Sequence, residues 1–257
     1  MTQISALIIS RNEEHKIKQC LDSLEGIADE IIVVDSYSTD NTVKICEEAG
    51  CKVVQRAFPG YGAQRQYATS LATHRYILSI DADEVLSPAL RTSLKKLKNE
   101  GLTHRVYSFT RMNFYCEEPI RHCGWYPDIQ IRLFDKRYAT WDLSDVFEKV
   151  IFPGTLCPEK IDGDILHYRC RTPEEYHHTI VSHAMIEGRV LANKLDKVGL
   201  LTPWLKSIKA FANCYFKKYG FLDGNEGFAI SKEEYLATME AYKLARKILN
   251  KNHDSDC

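Results

Sequence analysis

The 257-residue sequence predicts an α/β fold: a Rossmann-like, mostly parallel sheet with flanking helices, followed by a helical C-terminal region. Short apolar runs alternate with amphipathic segments four times within the first hundred residues, which is typical of strand–helix–strand units. From about residue 173 onwards the periodicity is helical only. We therefore expect one α/β domain over residues 1–172, with halves at 1–100 and 101–172, and a helical extension over 173–257.

Residues 4–10 form a continuous apolar run, as expected for a strand that is buried on both faces. Three further strands are predicted at residues 30–35, 51–55 and 76–81. Asn12 is suited to cap the first helix, and Ser87-Pro88 to begin the fourth. The second and third helices are expected over 38–50 and near 62–73.

The rest of the chain divides into a β-rich part and a helical part. Strands are predicted at residues 106–115, 130–136 and 164–168, with a loop at 124–128. Helices are predicted at 174–194, from Pro203 onwards, and at 232–251. One face of the Pro203 helix carries aromatic and aliphatic residues with lysines nearby, namely Trp204, Ile208, Phe211, Tyr215 and Tyr219. This pattern fits either a helix in a membrane interface or a helix packed on the domain core.

Composition excludes several classes of protein. The formal net charge of -1 gives no basic field for nucleic acid. None of the nine cysteines forms a Cys-x-x-Cys pair, which argues against zinc and for a reduced, cytoplasmic protein. We expect no signal peptide and no membrane-spanning helix, because the apolar runs are short.

Polar and acidic residues follow the predicted strands at one edge of the sheet, where such folds bind ligands. They are Ser10 to Glu13, Asp35-Ser36, and Asp81 to Glu84. The Asp-x-Asp pair of Asp81 and Asp83 suits a divalent cation bound to a diphosphate, since Mg²⁺ and Mn²⁺ prefer carboxylate and phosphate oxygens. The alternative is a solvated acidic turn before the next helix.

Six segments in order resemble the family 2 glycosyltransferases of GT-A fold. They are LIISRNEE, EIIVVDSYSTDNT, GYGAQRQYA, ILSIDADEVLSP, GWYPDIQIRLF and ILHY, and GFLDGNEG (220–227) extends the similarity. More narrowly, the chain is similar to bacterial lipopolysaccharide-core glucosyltransferases that act on the inner-core heptose. The resemblance implies an inverting, metal-dependent transferase that moves a hexose such as glucose from a nucleotide sugar, commonly UDP-linked, to a glycolipid or oligosaccharide acceptor. It would work in the cytoplasm, at or near the inner membrane.

The resemblance also assigns roles to individual residues. The nucleotide would lie against Ser10, Arg11, Asn12, Glu13, Asp35 and Ser36, with Asp35 accepting a hydrogen bond from the base. Arg65 would approach the diphosphate, and Trp125 could stack on a sugar ring. The ion, Mg²⁺ or Mn²⁺, would be held by Asp83 with Asp81 and His167. Each residue also has a structural reading: an ion pair for Arg65, a strand end for Asp35, and core packing for His167 and Trp125.

The general base is expected to be a carboxylate on the acceptor side of the sugar. Asp128, in GWYPD, is the first choice and Glu148 the second. Related sequences often read Val-His-Glu where this chain reads Val146-Phe147-Glu148, which weakens the case for Glu148.

Three further interpretations concern the acceptor and the class of protein. Arg121, His122 and Arg132 could meet an anionic acceptor, or be solvated charges. A nucleotidyltransferase is disfavoured, because the turn at 10–13 has no glycine. A scaffold that binds a nucleotide sugar without turning it over remains the alternative to an enzyme.

Overall fold

The computed structural model describes residues 1–143 and 148–255, with side chains described as far as Lys251. The chain forms two compact units: unit 1 is Met1–Arg111 with Asp128–His167, and unit 2 is Met112–Pro127 with Tyr168–Cys257. The expected domain boundary at residue 172 lies five residues after the end of unit 1. Segment 112–127, which we expected in the α/β domain, belongs to unit 2 with the helices.

The main sheet has the strand order β3-β2-β1-β4-β8-β6-β11-β5. The strands are β1 (Ile4–Ser10), β2 (Glu30–Asp35), β3 (Lys52–Gln55), β4 (Tyr76–Asp81), β5 (Glu84–Leu86), β6 (Val106–Tyr115), β7 (Glu118–Pro119), β8 (Asp128–Asp135), β9 (Thr140–Trp141), β10 (Val150–Ile151) and β11 (Glu159–Tyr168). β7 pairs with β6, and β9 pairs with β10 in a separate ribbon.

The first four strands are parallel, as predicted, and the later strands make the sheet mixed. β1 pairs in parallel with β2 on one side and with β4 on the other. β8 is antiparallel to β4, with Leu133 opposite Leu78, and β6 is antiparallel to β8. At the far edge β5 is antiparallel to β11, with Glu84 opposite His167. This architecture confirms the α/β class and its fit to a GT-A fold.

Apolar residues on alternate strand positions build a core on each face of the sheet, because successive side chains point to opposite faces. One core contains Ile8, Val33 and Leu78, packed with residues of flanking helices such as Cys20 and Leu90. The other contains Leu7, Val34, Ile77, Ala68 and Phe134. The helices of unit 1 are α1 (Ile17–Ser23), α2 (Thr42–Glu48), α3 (Tyr61–Leu71) and α4 (Pro88–Glu100).

Two helix starts differ in how well the sequence predicted them. Ser87 caps α4 as predicted: its Oγ accepts a hydrogen bond from the Leu90 amide at 3.2 Å. The predicted cap at Asn12 is wrong. Asn12 has φ +57°, and α1 begins five residues later at Ile17. Asn12 is instead a turn residue, since asparagine tolerates the left-handed conformation, and its side chain bonds to Thr39 in the turn after β2.

Unit 2 is built mainly of helices. They are α5 (Pro173–Lys194), α6 (Thr202–Ala212), a π-helical turn (Asn213–Lys217), a 3-10 turn (Gly220–Asp223) and α7 (Gly224–Ser255). α5 and α7 approach closely at Gly188, where an added Cβ would lie 2.8 Å from the Ala241 carbonyl oxygen. Among the described helices, none has both the length and the apolar character needed to span a bilayer.

Candidate active site

The turns after β1 and β2 are joined by side-chain hydrogen bonds. Asp35 is fully buried, and its carboxylate accepts hydrogen bonds from Ser10 Oγ at 3.0 Å and from the Ser38 amide at 2.8 Å. Ser38 Oγ is a further donor to Asp35 and accepts from the Asn12 amide. Asp35 therefore fixes the shape of the turns after β1 and β2, and its direct contact with a nucleotide base stays a prediction.

A second set of contacts holds the two turns together at their tips. Asn12 Oδ1 accepts a hydrogen bond from the Thr39 amide at 2.8 Å, and the Glu13 amide donates to Thr42 Oγ1 at 2.8 Å. Ser36 is buried and its hydroxyl accepts from Gln64 Nε2 at 3.2 Å. Segments that are far apart in the sequence thus form one rigid rim at the carboxyl ends of β1 and β2.

Asp81, at the end of β4, lies between two buried arginines. Its Oδ1 accepts from Arg65 Nη2 at 2.6 Å, and its Oδ2 from Arg132 Nη2 at 2.9 Å. Burial alone would raise the pKa of Asp81, but Arg132 and Arg65 more than offset this and hold its pKa well below the usual range. Asp81 is therefore ionised throughout the neutral range.

The ion pairs continue through the fully buried Glu84. Its Oε1 accepts from Arg132 Nη2 and from Arg111 Nη1, both at 2.9 Å. Arg111 Nε in turn donates to Asp128 Oδ2 at 2.8 Å, and Arg65 Nε donates to Glu148 Oε1 at 2.8 Å. One chain of alternating charges results, in the order Glu148, Arg65, Asp81, Arg132, Glu84, Arg111 and Asp128; we call it the ion-pair chain.

Asp83 stands outside this chain and contacts a different set of groups. Its Oδ2 lies 3.4 Å from His167 Nε2 and 4.0 Å from Lys16 Nζ. Burial opposes ionisation of Asp83, but the nearby His167 and Lys16 outweigh it and lower its pKa. The β5–β11 pairing is what brings His167 to this position, since it sets His167 opposite Glu84, the residue next to Asp83.

Comparison with known proteins identifies the family. The family model described as glycosyl transferase family 2 matches residues 5–147. The chain belongs to this family. The match includes Arg65, Asp81, Asp83 and Asp128, while Glu148 and His167 lie beyond its end.

The relatives of this family 2 glycosyltransferase are bacterial. An uncharacterized glycosyltransferase of Rickettsia typhi is 28% identical over 249 residues, covering 90% of this chain and 82% of its own length. A lipopolysaccharide core biosynthesis glycosyltransferase of Rhizobium meliloti is 31% identical over 176 residues, covering 65% of this chain and 63% of its own. A solved structure of glucosyl-3-phosphoglycerate synthase from Mycobacterium tuberculosis, in complex with Mn²⁺, UDP and glucosyl-3-phosphoglycerate, aligns with TM-score 0.36 and 25% identity over 44% of each chain.

The donor groups at Asp83 and His167 fit part of a cation site in this glycosyltransferase. Neighbouring ligands on an octahedral ion with bonds of about 2.1 Å lie about 3 Å apart, close to the observed separation of these two atoms. Asp81 is less suited, because each of its oxygens already accepts from an arginine. Within residues 1–143 and 148–255, no group of three or more His, Cys, Asp or Glu side chains is arranged to hold a metal ion. The remaining ligands would be diphosphate oxygens and water.

The other predicted residues divide between the two units. Arg11 is exposed on the turn after β1. Asp128 and Glu148 occupy opposite ends of the ion-pair chain in unit 1. Trp125 lies in unit 2, is buried, and packs against Tyr176 and under the Arg169 guanidinium. It therefore has the packing role that was the alternative to sugar stacking.

Two interpretations of basic residues need correction or refinement. Arg132 does not face an acceptor or solvent. It is buried in β8 and pairs with Asp81 and Glu84. These pairs are needed because burying an unpaired arginine charge costs free energy. Arg121 and His122 lie in unit 2, where both amides and the His122 ring bond to Asp223.

Sequence reasoning missed the roles of Glu84 and Arg111. The available signal was an arginine within a predicted strand, at Arg111 in residues 106–115 and at Arg132 in residues 130–136, since charged side chains are rarely fully buried unless paired. No local sequence pattern indicates which carboxylate forms an ion pair with each arginine.

Proposed function

We propose that this glycosyltransferase moves a hexose, with inversion, from a nucleotide-diphosphate sugar to a lipopolysaccharide-core or other cell-surface glycolipid acceptor on the cytoplasmic face of the inner membrane. Family membership and the Rhizobium meliloti relative support the reaction type and the acceptor class. The observation that carries the proposal is the contact of Asp83 with His167, two positions after Asp81, whose carboxylate pairs with Arg65 and Arg132 at the carboxyl end of β4.

The donor's diphosphate would be held by the cationic part of the site. Asp83 and His167 would hold Mg²⁺ or Mn²⁺, which when bound supplies positive charge to the departing diphosphate. Arg132 Nε is a buried donor without a hydrogen-bond partner among the described residues, and such a donor is costly unless an acceptor reaches it. Ser10 to Glu13 and Ser36 would line the nucleoside on the rim that Asp35 fixes.

The acceptor hydroxyl would lose its proton to Asp128 as its oxygen attacks the anomeric carbon and the bond to the diphosphate breaks. Arg111 orients the Asp128 carboxylate through Oδ2, and Gln130 Nε2 donates to Oδ1 at 2.6 Å. Glu148 is the second candidate, oriented by Arg65.

One observation favours the non-catalytic scaffold as the second candidate function: both candidate bases are already ion-paired with arginine, and these pairs compete with an incoming acceptor hydroxyl for the carboxylate oxygens. The two functions differ in one product. A transferase with donor, Mn²⁺ and acceptor releases the nucleotide diphosphate, and a scaffold does not.

Replacing Asp83 tests the cation site. We expect Asp83→Ala to lower transfer from UDP-glucose by about a thousandfold, because the charge that stabilises the leaving group is lost. Nucleotide release is measured against Mn²⁺ concentration, with the exposed Asp22→Ala as control. Unaltered turnover and metal dependence in Asp83→Ala would refute the assignment.

The base is tested with a second pair of variants. Asp128→Asn should retain donor affinity, measured by calorimetry, and lose about 10²- to 10⁴-fold in transfer. Glu148→Gln is the matched variant at the other end of the ion-pair chain. A large loss in Glu148→Gln with none in Asp128→Asn would move the base to Glu148.

A further inference from the structure

Unit 2 carries a run of exposed apolar side chains along α6 and the turns that follow it. We call Leu201, Trp204, Leu205, Ile208, Phe216 and Tyr219 the α6 apolar face. Trp204 is 54% exposed, Leu205 66% and Ile208 57%. The 3-10 turn after it adds Phe221 and Leu222, which are also exposed. Single exposed apolar residues are ordinary, whereas a contiguous set of this kind marks an interaction surface.

The burial pattern of α6 is the reverse of that in an ordinary surface helix. Its buried positions are Pro203 and Ser207, and the Ser207 hydroxyl bonds back to the Pro203 carbonyl at 2.8 Å. A helix that only packs on its own domain turns its large apolar side chains inward. Here the small residues face the protein, and the tryptophan, leucine and isoleucine face outward.

The spacing of these residues puts them on one side of the helix. Leu201, Trp204, Leu205 and Ile208 are separated by three, one and three residues, which places them within one stripe of a 3.6-residue helix. The π-helical turn continues the same segment, where Phe216 and Tyr219 are exposed. Phe211 and Tyr215 are only partly exposed, since they pack with each other and with Phe228.

Cationic side chains border this face. Lys206, Lys209 and Lys217 are exposed on the same segment. At the start of α6, a cleft of ≈ 370 Å³ is lined by Pro203 and by α7 residues that include Lys243, Arg246, Lys247 and Lys251. The described lining of this cleft contains four cations and no acid, and one of them, Lys243, pairs with Glu240 at 3.0 Å, so the cleft adds an excess of positive charge at the border of the apolar face.

We infer that the α6 apolar face docks onto an anionic bilayer surface, with its apolar side chains in the headgroup–acyl boundary and the lysines among lipid phosphates. Helices that lie in this boundary combine bulky apolar residues with lysines along their polar flank, as α6 does. Exposed tryptophan and tyrosine suit the same depth. The inference rests on the proposed function and deepens it. A transferase that acts on a glycolipid would contact this acceptor at a bilayer surface.

A second copy of the chain is the competing occupant, and the charges argue against it. In a two-fold dimer the same patch meets itself, so the lysines of both copies would be brought to one interface. Like charges brought together at an interface oppose association. An anionic surface instead neutralises the lysines along α6 and the cationic residues of the adjoining cleft.

Vesicle sedimentation of the full chain tests the inference. We expect binding to phosphatidylcholine vesicles that contain phosphatidylglycerol, weak binding to phosphatidylcholine alone, and loss of binding at high salt. Trp204→Ser/Ile208→Ser should weaken binding at least about tenfold, through lost apolar burial. Lys206→Gln/Lys209→Gln should weaken it by a similar factor, because each lysine contributes electrostatically at an anionic surface.

Matched controls come from unit 1, where Ile151 and Lys44 and Lys96 are also exposed. Ile151→Ser and Lys44→Gln/Lys96→Gln should bind as the unaltered protein does. Equal binding of Trp204→Ser/Ile208→Ser and the unaltered protein, or no binding by either, would overturn the inference. So would a dimer in light scattering that Trp204→Ser/Ile208→Ser abolishes, with no vesicle binding.

Nucleotide release from UDP-glucose with Mn²⁺ and a soluble oligosaccharide acceptor, without vesicles and in the same proteins, separates the two proposals. Absence of release with vesicle binding intact would count against the proposed function and leave the docking surface standing. Release in all variants, with vesicle binding lost only in the α6 variants, supports both.

Discussion

At the scale of single residues, the crowding of Asp81, Asp83 and Glu84 is tolerated because each carboxylate lies beside at least two basic side chains, one of which, Arg132, is shared. Arg65 and Arg132 neutralise Asp81, Arg111 and Arg132 neutralise Glu84, and His167 and Lys16 face Asp83. Buried ion pairs contribute little net stability, because desolvation offsets their attraction, whereas removing one partner is costly. The ion-pair chain is therefore better understood as a device that positions Asp81, Arg65 and Asp128.

Glu13, in the turn after β1, is an acid whose burial and neighbouring charges raise its pKa. Burial and the negative charge of Asp83 raise the pKa of Glu13 to about 7, although Lys16 partly opposes them. In the unfolded chain the same carboxyl has a pKa of about 4.3. Between these values the folded state keeps a proton that the unfolded state has released, so the free energy of unfolding falls as pH rises through this window.

We therefore predict that Glu13→Gln makes stability less dependent on pH. Relative to the variant, the unaltered protein should lose stability between about pH 4.5 and pH 7, and the difference should be constant above that window. Chemical denaturation with a chelator present measures it, since a cation at Asp83 would change the local field. Glu25→Gln, at an exposed position, is the control. Parallel curves for Glu13→Gln and the unaltered protein would contradict the assigned shift.

At the scale of elements, Gly163 decides how β11 lies against the start of α4. Gly163 has φ +104°, and an added Cβ would lie 2.3 Å from the Leu90 amide nitrogen. Beside it, the Asp164 amide donates to the Ser87 cap at 3.1 Å, and the Ser87 amide donates to the Asp164 carbonyl. These contacts fix the position of β11 against the start of α4. β11 is the strand that contains His167, which lies beside Asp83.

We predict that Gly163→Ala lowers the free energy of unfolding by about 3 kcal/mol, from the backbone conformation and the overlap together. Gly154→Ala is the matched control, since an added Cβ there has nothing within 4 Å, and should change stability by less than about 0.5 kcal/mol. Denaturant titration measures both. Similar midpoints for the two variants would show that the α4–β11 approach can relax.

The same elements show what the sequence could predict. β1, β2 and β4 were predictable because a mostly apolar run of strand length has few other uses in such a fold, and Ser87-Pro88 is a strong helix start. β5 is three residues long, too short for any periodicity, yet its pairing with β11 assembles the candidate cation site. Asn12 was misjudged because a residue that caps helices well also favours tight turns.

The partners of Arg111 and Arg132 could not be predicted for a related reason. Their contacts with Glu84, Asp81 and Asp128 depend on the pairing of β4 with β8 and of β8 with β6. Register between strands that are distant in the chain is set by packing, and not by local pattern. The Asp-x-Asp pair was visible from the sequence, whereas the different surroundings of its two aspartates were not.

At the scale of the whole molecule, the proposals assign different ligands to different units. The proposed nucleotide-sugar site lies at the turns of unit 1, where the strand ends carry the ion-pair chain and Asp83. The proposed bilayer-binding surface is the α6 apolar face of unit 2. With a formal net charge of -1, the protein as a whole has no strong field, so vesicle binding must come from a local surface.

We predict two separate footprints in hydrogen exchange, read peptide by peptide. UDP-glucose with Mn²⁺ should slow exchange in peptides that cover residues 10–14 and 81–87, because a bound ligand suppresses local opening. Anionic vesicles should slow exchange in residues 200–222. Asp83→Ala should lose the first footprint and keep the second, and Trp204→Ser/Ile208→Ser should do the opposite. Loss of both footprints in either variant would show that the two surfaces act as one site, since independent sites on separately packed units respond only to substitutions within their own contacts.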